Sequence, residues 1–312
     1  IMALLIDIKQ SDWMTDEHLR DVLLPMYPTG DIRCGRSPGN LGEIEMLVVS
    51  TYIEGEALRY PNLKLIQKAG AGVESIIADS TIPESVQVAR LRSDVPAAEM
   101  AEYCLAAVFQ EQRHFRQYRD NQALSTWQPM EPKEPSKTTV AILGLGLIGC
   151  IIANRFLDNR FKVTGWSRSL KQLVGVSCYS GMDQLPEILA EADYVISILP
   201  STPETIGLFA QQRFIEMKQG AVLINVGRGD VINEADLVQA LDNAELSHAI
   251  LDVMQVEPLP NSSPMWRHAD ITITPHVSGW HLGDAICDIA LNFQQLEKEQ
   301  PLLHLVDRQL GY

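Results

Sequence analysis

Cysteine is scarce in this sequence, and its arrangement argues against the two structures that cysteines usually build. The 312 residues contain five cysteines, an odd number, scattered along the chain without a C-x-x-C pair. Zinc-binding cysteines come in close pairs, and small disulfide-bonded domains carry an even number of cysteines in a short chain. We therefore expect neither a metal site nor a disulfide framework, and we expect thiols in a reducing cytoplasm.

Positive charge and long apolar runs are also lacking. The chain has 25 basic and 40 acidic residues, a net charge of −15, which opposes binding to nucleic acid or to an anionic membrane surface. No run of about 18 apolar residues predicts a membrane span. The first residues, IMALLIDI, carry no basic segment of the kind found in signal peptides, and they predict a strand. An anionic substrate would therefore need cations placed locally at its site.

The clearest feature that is present is a glycine-rich turn between an apolar strand and an apolar helix start. Residues 140–149 are VAILGLGLIG, a complete G-x-G-x-x-G pattern formed by Gly144, Gly146 and Gly149. In a dinucleotide-binding turn the first glycine permits the bend, the second lets the backbone approach a pyrophosphate, and the third lets the helix pack on the strand. A glycine-rich surface turn is the alternative, but the flanking strand and helix patterns favour dinucleotide binding.

Strand and helix patterns alternate on both sides of this turn and predict an α/β protein. The apolar runs before residue 98 are ALLIDI, EMLVVS and LKLIQKAG, and those of the second half are TTVAIL, FKVTGW, DYVISILP, AVLINV, SHAILDV and DITITP. Alternation of this kind predicts parallel sheets. Between the two halves, a helix of more than twenty residues is expected to open at Pro96, since proline is favoured in the first turn of a helix.

Polar residues follow the predicted strands of the second half, where ligands bind in such folds. Arg168 lies between two serines, Arg228 lies between two glycines, and Glu257 and His276 follow the next two strands. Each of these residues alone could be an ordinary turn or core residue. At successive strand ends of one sheet they jointly predict an active site.

These segments together resemble the D-isomer-specific 2-hydroxyacid dehydrogenase family. The resemblance is carried by GLGLIG and by three later segments, INVGRGDVINEADL (224–237), LDVMQVEPLP (251–260) and ITPHVSG (273–279). GAGVES (70–75) resembles the substrate-domain turn of the family, although a plain strand-to-helix turn explains it equally well. Within the family the chain is most similar to the short glyoxylate/hydroxypyruvate reductases. It departs from the family pattern at Ser278, where alanine is common, and at Trp280 and His281, where a small hydroxyl residue is common.

The resemblance implies two Rossmann-like or flavodoxin-like parallel-sheet domains with a cleft between them. Residues 1–98, completed by 286–312, would form the substrate (catalytic) domain, and residues 99–285 the dinucleotide-binding Rossmann domain. The family also implies a homodimer. Trp127, in the polar stretch before the glycine turn, would be exposed or would contact the partner subunit as part of a dimer arm.

The implied reaction is the reduction of a small anionic 2-oxoacid, of the glyoxylate or hydroxypyruvate type, to the D-2-hydroxyacid. His276 would be the acid/base, and Glu257 would favour its protonated form. Arg228 would bind and polarise the substrate. The resemblance further implies that the backbone amides of Ala71 and Gly72 grip the substrate carboxylate.

The cofactor is expected to be NADP(H), with NAD(H) possible. NAD sites of this fold carry an Asp or Glu about 20 residues beyond the glycine turn. Here the corresponding strand ends in Ser167-Arg168-Ser169, which can bind a 2′-phosphate. Asp252 would orient the nicotinamide carboxamide, as the resemblance implies. The predicted cofactor contacts are Gly144, Gly146, Leu147, Ile148, Gly149, Ser167, Arg168, Ser169, Leu199, Pro200, Thr205, Val226, Asp252 and His276.

Two other functions remain open at this point. Some relatives of the family bind a dinucleotide chiefly to control partner binding, so a dinucleotide-sensing scaffold or corepressor-like protein is one alternative. Oxidation of formate or phosphite on the same fold is the other. A panel of substrates, tested with both nicotinamide cofactors, distinguishes all three.

Overall fold

The computed structural model describes residues 2–9 and 13–308 of the chain. The chain divides into two compact units, one formed by Ile1–Ser93 with Leu282–Tyr312 and the other by Asp94–His281. It therefore leaves the first unit after residue 93 and returns to it at residue 282. The boundaries expected from the sequence, after residues 98 and 285, lie a few residues further along the chain.

The first unit contains a five-stranded parallel sheet. Its strands are β1 (Ala3–Asp7), β2 (Asp31–Cys34), β3 (Ile44–Val49), β4 (Leu65–Lys68) and β5 (Gln87–Ala89). Their order is β2-β1-β3-β4-β5, and each neighbouring pair is parallel. The three central strands are those that the apolar runs predict, whereas β2 and β5 are short edge strands that no such run marks. This strand order is that of flavodoxin-like folds.

Helices cover this sheet. They are α1 (Asp16–Leu23), α2 (Glu74–Ile77) and, after the chain has returned from the second unit, α9 (Ile286–Glu297). The α1 helix begins where Thr15 caps it, since the Thr15 side chain accepts a hydrogen bond from the backbone N–H of His18 at 3.1 Å. The rings of Tyr27 and Phe293 meet edge to face at a centroid distance of 5.5 Å, and Phe293 is fully buried. Burial of its apolar face thus brings α9 back to the first sheet.

A buried polar pair also ties α9 to this sheet. Asn292 is fully buried, and its side-chain amide donates to Gln67 Oε1 in β4 at 2.7 Å and to the Leu303 carbonyl oxygen at 3.2 Å. The Leu303 N–H donates to Asn292 Oδ1 at 2.7 Å. These bonds satisfy polar groups that would be costly to bury without partners.

The second unit contains a seven-stranded parallel sheet. Its strands are β6 (Thr139–Leu143), β7 (Lys162–Ser167), β8 (Val176–Ser180), β9 (Tyr194–Ser197), β10 (Ala221–Asn225), β11 (Leu246–Leu251) and β12 (Ile271–Ile273). Their order is β12-β11-β10-β9-β6-β7-β8, so the sheet grows outward from β6 in one direction and then from β9 in the other. Ligands of such sheets bind at this switch point, outside the carboxyl ends of the strands.

Both faces of the second sheet are covered by apolar cores. Val140 and Ile142 of β6 belong to one core cluster, and Ala141 and Leu143 belong to another. Alternate residues of one strand point to opposite faces, so both faces of β6 are buried. The covering helices are α3 (Asp94–Gln112), α5 (Leu147–Asp158), α6 (Leu185–Glu191), α7 (Gln211–Glu216) and α8 (Glu234–Asp242), whereas α4 (Phe115–Ala123) follows α3 and buries none of its residues.

The expectation of one helix of more than twenty residues opening at Pro96 was wrong. The α3 helix has 19 residues, and it begins two residues earlier, at Asp94, with Pro96 in its first turn. It ends because His114 adopts the left-handed conformation, with φ 58°, which interrupts the helical path before α4.

Neither membrane spans nor metal clusters are found in residues 2–9 and 13–308. No helix there is long and apolar enough to cross a bilayer. Within the same ranges, no group of three or more His, Cys, Asp or Glu side chains is arranged to hold a metal ion.

The buried amide pair generates a prediction about the stability of the first unit. Asn292→Leu leaves the Oε1 atom of the buried Gln67 and the partly buried Leu303 N–H without the bonds that Asn292 supplies, and each such loss costs about 1–3 kcal/mol. We expect a decrease of about 2–4 kcal/mol in the free energy of unfolding, measured by urea denaturation followed by circular dichroism. Gln294→Leu is the control, because Gln294 lies on the same helix and makes only an exposed bond to the Met26 carbonyl. Equal stability of the two variants would contradict the prediction.

Candidate active site

The glycine turn lies at the switch point of the second sheet, between β6 and α5. Gly144 has φ 110°, and a Cβ there would lie 2.9 Å from the carbonyl oxygen of Ile198, the residue that follows β9. A Cβ on Gly149 would lie 1.8 Å from the carbonyl oxygen of Gly144. Side chains at these two positions would therefore force the turn away from β9 and from its own helix.

Gly146 faces open space at the N-terminus of α5. No atom lies within 4 Å of the position that a Cβ would take there. Gly146 is the N-cap of α5, and no side chain caps this end of the twelve-residue helix. Leu147 is exposed and Ile148 is partly buried at the first turn. Uncapped N–H groups at a helix N-terminus bind phosphate, so the residues present fit the pyrophosphate of a dinucleotide.

The ends of β9 and β10 lie close to this turn. In the loop after β9, Leu199 is buried and Pro200 is exposed, and the Thr205 hydroxyl donates to the Pro200 carbonyl oxygen at 2.5 Å. Val226 is buried after β10. A Cβ on the following Gly227 would lie 2.7 Å from the backbone nitrogen of Leu199. The loops that follow β9 and β10, which carry predicted cofactor contacts, therefore pack closely against each other at Leu199 and Gly227.

The third predicted cofactor segment is the turn after β7. Ser167 is buried, and its hydroxyl donates to the Ser169 carbonyl oxygen at 2.9 Å, which tightens the turn. Arg168 and Ser169 are exposed. The pKa of Glu204 lies below its ordinary value, mainly because of hydrogen bonds from its own amide and from Thr202, with a smaller effect of the Arg168 charge. Arg168 therefore lies within electrostatic reach of the loop that follows β9.

Three candidate catalytic residues come from the ends of neighbouring strands. Arg228 follows β10, Glu257 lies in the loop after β11, and His276 follows β12. The Nδ1 atom of His276 lies 2.8 Å from Oε2 of Glu257. The other carboxylate oxygen of Glu257 accepts a bond from the Met254 N–H at 3.0 Å. The guanidinium of Arg228 donates to the Gly227 carbonyl oxygen at 2.7 Å.

Glu257 is ionised at neutral pH. Burial alone would raise its pKa, but hydrogen bonds from His276 and from the Met254 amide, together with the charge of Arg228, hold this pKa below its ordinary value. Arg228 thus acts electrostatically on the same carboxylate as His276. Because Glu257 occupies Nδ1 of His276, Nε2 is the ring atom left for proton transfer.

Asp252, at the end of β11, holds the segment that carries His276. Its side chain is 1% exposed and accepts three bonds, from the Thr274 hydroxyl at 2.6 Å and from the N–H groups of Val277 and Ser278 at 2.9 Å each. The His276 N–H donates to the Asp252 carbonyl oxygen at 2.9 Å. The resemblance implied a contact of Asp252 with the nicotinamide carboxamide. In the structure its carboxylate is bound to the protein's own loop.

Two residues of α3 that no sequence motif marks also contact this segment. The Tyr103 hydroxyl lies 2.7 Å from the Thr274 hydroxyl. Glu99 accepts hydrogen bonds from the backbone of Trp280 and His281. Residues 99 and 103 are spaced to lie on one face of a helix, but the sequence does not tell which residues that face meets.

Ala71 and Gly72 belong to the first unit, in the turn between β4 and α2. Ala71 is exposed and Gly72 is partly buried. The Gly70 carbonyl accepts a bond from the Leu91 N–H at 2.9 Å, which connects the turn to the chain after β5. Because α2 has only four residues, the turn itself rather than a helix end would supply N–H groups to a ligand. The other candidate residues all lie in the second unit.

The arrangement in the second unit defines a class of protein. A parallel sheet with this strand order, a glycine turn at its switch point, and an ion-paired histidine beside an arginine are typical of dinucleotide-dependent dehydrogenases.

Known proteins share this arrangement. Residues 105–278 match the profile of the D-isomer specific 2-hydroxyacid dehydrogenase, NAD binding domain. Glyoxylate/hydroxypyruvate reductase A of Serratia proteamaculans (strain 568) is 40% identical over 256 residues, which cover 80% of this chain and 82% of that protein. The chain belongs to the D-isomer specific 2-hydroxyacid dehydrogenase family and is an oxidoreductase, so the family resemblance inferred from the motifs is confirmed.

Solved structures agree with both units. The D-isomer specific 2-hydroxyacid dehydrogenase from Xanthobacter autotrophicus Py2, in complex with NADPH and MES, has a TM-score of 0.91 and 34% identity, with 100% of both chains covered. NADPH-dependent glyoxylate/hydroxypyruvate reductase from Sinorhizobium meliloti, in complex with NADP and sulfate, has a TM-score of 0.90 and 28% identity, with the same coverage. The predicted α/β fold with two parallel-sheet domains is thereby confirmed.

Proposed function

We propose that this protein reduces a small 2-oxoacid of the glyoxylate or hydroxypyruvate type to the D-2-hydroxyacid, with NADPH as hydride donor. The observation that carries the proposal is the 2.8 Å distance between His276 Nδ1 and the Glu257 carboxylate. The charge of Arg228 also lowers the pKa of this carboxylate. The names of the Serratia and Sinorhizobium reductases support the substrate class. In this proposal the first unit is the substrate domain and the second is the dinucleotide-binding domain.

The chemistry follows from the positions of the side chains. When bound, the nicotinamide cofactor supplies the hydride that reaches the carbonyl carbon. Arg228 binds the substrate through its guanidinium and stabilises the negative charge that develops on the carbonyl oxygen. The backbone amides of Ala71 and Gly72 bind the substrate carboxylate, since an exposed turn at the carboxyl end of a sheet offers N–H donors.

His276 moves the proton. In the reduction, protonated His276 donates from Nε2 to the forming alkoxide, and in the reverse direction neutral His276 accepts that proton. Glu257 at Nδ1 stabilises the positive ring and orients it. Because the pKa of Glu257 is below its ordinary value, this carboxylate remains ionised throughout the neutral range and loses its charge only under acid conditions.

The proposed acid/base pair is tested by two variants. His276→Ala should lower kcat for glyoxylate or hydroxypyruvate by about 10²–10⁴-fold while NADPH binding, followed by fluorescence titration, persists. Glu257→Gln should move the alkaline limb of the pH–rate profile for reduction to lower pH, because a neutral amide no longer favours the protonated imidazole. Turnover of His276→Ala at the wild-type rate, with saturating 2-oxoacid, would exclude the assignment.

The same assays separate the alternative functions. The wild-type protein is offered glyoxylate, hydroxypyruvate, formate and phosphite with the appropriate reduced or oxidised cofactor. Binding of NADPH without turnover of any of these substrates would favour a dinucleotide-sensing scaffold or corepressor-like protein. Turnover of formate or phosphite alone would favour the third alternative.

We infer a preference for NADPH over NADH from the turn after β7. The exposed guanidinium of Arg168 and the exposed hydroxyl of Ser169 can bind a 2′-phosphate through charge-assisted hydrogen bonds. The Ser167 hydroxyl hydrogen is already used within the turn, so Ser167 chiefly shapes the turn and Arg168 supplies the charge. The Xanthobacter and Sinorhizobium structures, which hold NADPH and NADP, support this inference.

Arg168→Ala should therefore weaken the binding of NADPH much more than the binding of NADH. A hydrogen bond to a charged group is worth about 1.5–3 kcal/mol, which corresponds to a rise in KM for NADPH of about 10-fold to 150-fold. KM for NADH should change little, and Arg155→Ala, an exposed arginine on α5, serves as the control. Equal kcat/KM for the two cofactors in the wild-type enzyme would refute the preference.

We also propose that the enzyme is a homodimer. Three large apolar side chains of residues 115–127 are exposed, namely Phe115 at 58%, Leu124 at 75% and Trp127 at 99%. A groove of 660 Å³ is lined by Trp127 and by other residues of α4 and of the segment that follows it. Exposed apolar side chains concentrated on one segment mark an interaction surface, and a second copy of this chain is the partner that the family suggests.

The homodimer can be tested by disrupting this surface. Leu124→Ser combined with Trp127→Ala should convert a species of twice 34.7 kDa into a single chain, since the substitutions remove the two most exposed of these apolar side chains. Light scattering after size-exclusion chromatography measures the mass. Val174→Ser, at an apolar residue that is 96% exposed elsewhere in the same unit, should leave the dimer intact. A monomeric wild-type protein would contradict the proposal.

The thiols support a cytoplasmic enzyme. All five cysteines lie within the described residues and are free. Reducing compartments keep thiols unpaired, and we therefore propose the cytoplasm as the place of action.

A further inference from the structure

The segment that carries His276 has an uncommon backbone conformation. His276 has φ 56°, in the left-handed region that residues other than glycine rarely adopt. Such a conformation persists only where surrounding contacts impose it. Asp252 supplies contacts at the centre of the segment through the N–H groups of Val277 and Ser278. The end of the segment needs a separate anchor.

Glu99, in the second turn of α3, provides that anchor. Its Oε2 atom accepts hydrogen bonds from the backbone N–H of Trp280 at 2.7 Å and of His281 at 2.9 Å. Its Oε1 atom contacts Nδ1 of His281. Gly279 lies between the residues bound by Asp252 and those bound by Glu99, and it packs closely on α3. A Cβ on Gly279 would lie 3.1 Å from Cγ of Met100.

The charge of Glu99 strengthens these bonds. Burial would raise its pKa, but hydrogen bonds from the amide and ring of His281 and from the Trp280 amide hold the pKa below its ordinary value. The side chain is 26% exposed, so water competes with the bonds only in part. Backbone N–H bonds to an ionised carboxylate are shorter and stronger than neutral ones. At neutral pH the ionised Glu99 therefore holds the backbone of Trp280 and His281, and we call this group of bonds the Glu99 clamp.

The clamp joins the beginning of the second unit to its end. The unit starts at Asp94, the first residue of α3, and its last two residues are the ones that Glu99 binds. One turn further along α3, Tyr103 bonds to Thr274, which precedes His276. The α3 helix thus holds the segment on both sides of His276.

We propose that Glu99 is a positioning residue for the reductase reaction. By binding the N–H groups of Trp280 and His281, it keeps the His276 segment in the conformation in which the imidazole pairs with Glu257. Glu99 makes no hydrogen bond or ion pair with His276 or Glu257 and acts through the backbone of the segment. The effect on turnover rests on the function proposed above, whereas the effect on the conformation of the segment does not.

The kinetic test uses Glu99→Ala with three comparison variants. Glu99→Ala should lower kcat by about 10-fold to 100-fold, as expected for a catalytic group displaced by about 1 Å, while KM for the 2-oxoacid and the Kd of NADPH change little. Glu99→Gln keeps an acceptor oxygen for the two amides and should recover most of kcat. His281→Ala removes the ring but not the amide bonds and should stay near the wild-type rate. Glu102→Ala is the matched control, because Glu102 is exposed on the same helix.

Hydrogen exchange gives a readout that does not depend on turnover. Followed by mass spectrometry, Glu99→Ala should speed exchange in residues 276–281 and leave β6 protected, whereas Glu102→Ala should leave both unchanged. An unchanged exchange rate in residues 276–281, or an unchanged kcat in an active enzyme, would overturn the proposal. So would a joint loss of kcat, NADPH affinity and thermal stability, since that pattern shows a general structural defect. A wild-type protein without reductase turnover would refute the proposed function, and the exchange experiment would still decide whether Glu99 clamps the segment.

Discussion

The candidate site depends on the parallel pairing of β6 with β9. Strand order reverses at this pair, so the chain connections leave it on opposite sides and open space remains beyond the strand ends. The backbones around that space are so close that a Cβ on Gly144 would lie 2.9 Å from the Ile198 carbonyl oxygen, and one on Gly227 2.7 Å from the Leu199 nitrogen. The close packing of the strand ends is therefore what requires glycine at positions 144 and 227. The space for a dinucleotide is a consequence of that packing.

Three carboxylates then shape the edge of this space by accepting backbone N–H bonds. Asp252 binds the His276 segment near its centre, Glu99 binds its end, and Glu257 binds the Met254 amide and the imidazole ring. Asp252 is buried, and burial of a charged group is costly unless donors surround it, so it ties its loop tightly. Glu99 and Glu257, whose side chains are 26% and 33% exposed, hold their loops through charge-assisted bonds that water only partly weakens. The orientation of His276 is thus built into the protein before any substrate binds, which is the condition for efficient electrostatic and acid–base catalysis.

Features with a local physical requirement were predictable from the sequence. The glycine turn, the central strands and the residues at their carboxyl ends follow from spacing and apolar pattern alone. The edge strands β2, β5 and β8 were not predicted, because they are short or half-exposed and lack a continuous apolar run. The break after α3 was missed for another reason. His114 enters the left-handed region, and its side chain gives no signal of that conformation in an otherwise helical pattern.

The supports of the His276 segment were beyond prediction because their partners are distant along the chain, and because two of the bonds come from backbone N–H groups that no side chain identifies. Glu99 lies 181 residues before Trp280, and Tyr103 lies 171 residues before Thr274. A glutamate on a helix resembles any solvated acidic residue until the helix is seen to pack against backbone donors. Every residue type except proline presents the same N–H group. These two bonds therefore need a particular side chain at position 99 but not at positions 280 and 281. Trp280 and His281 can therefore stand where the sequence comparison expects a small hydroxyl residue, since their N–H groups still bind Glu99.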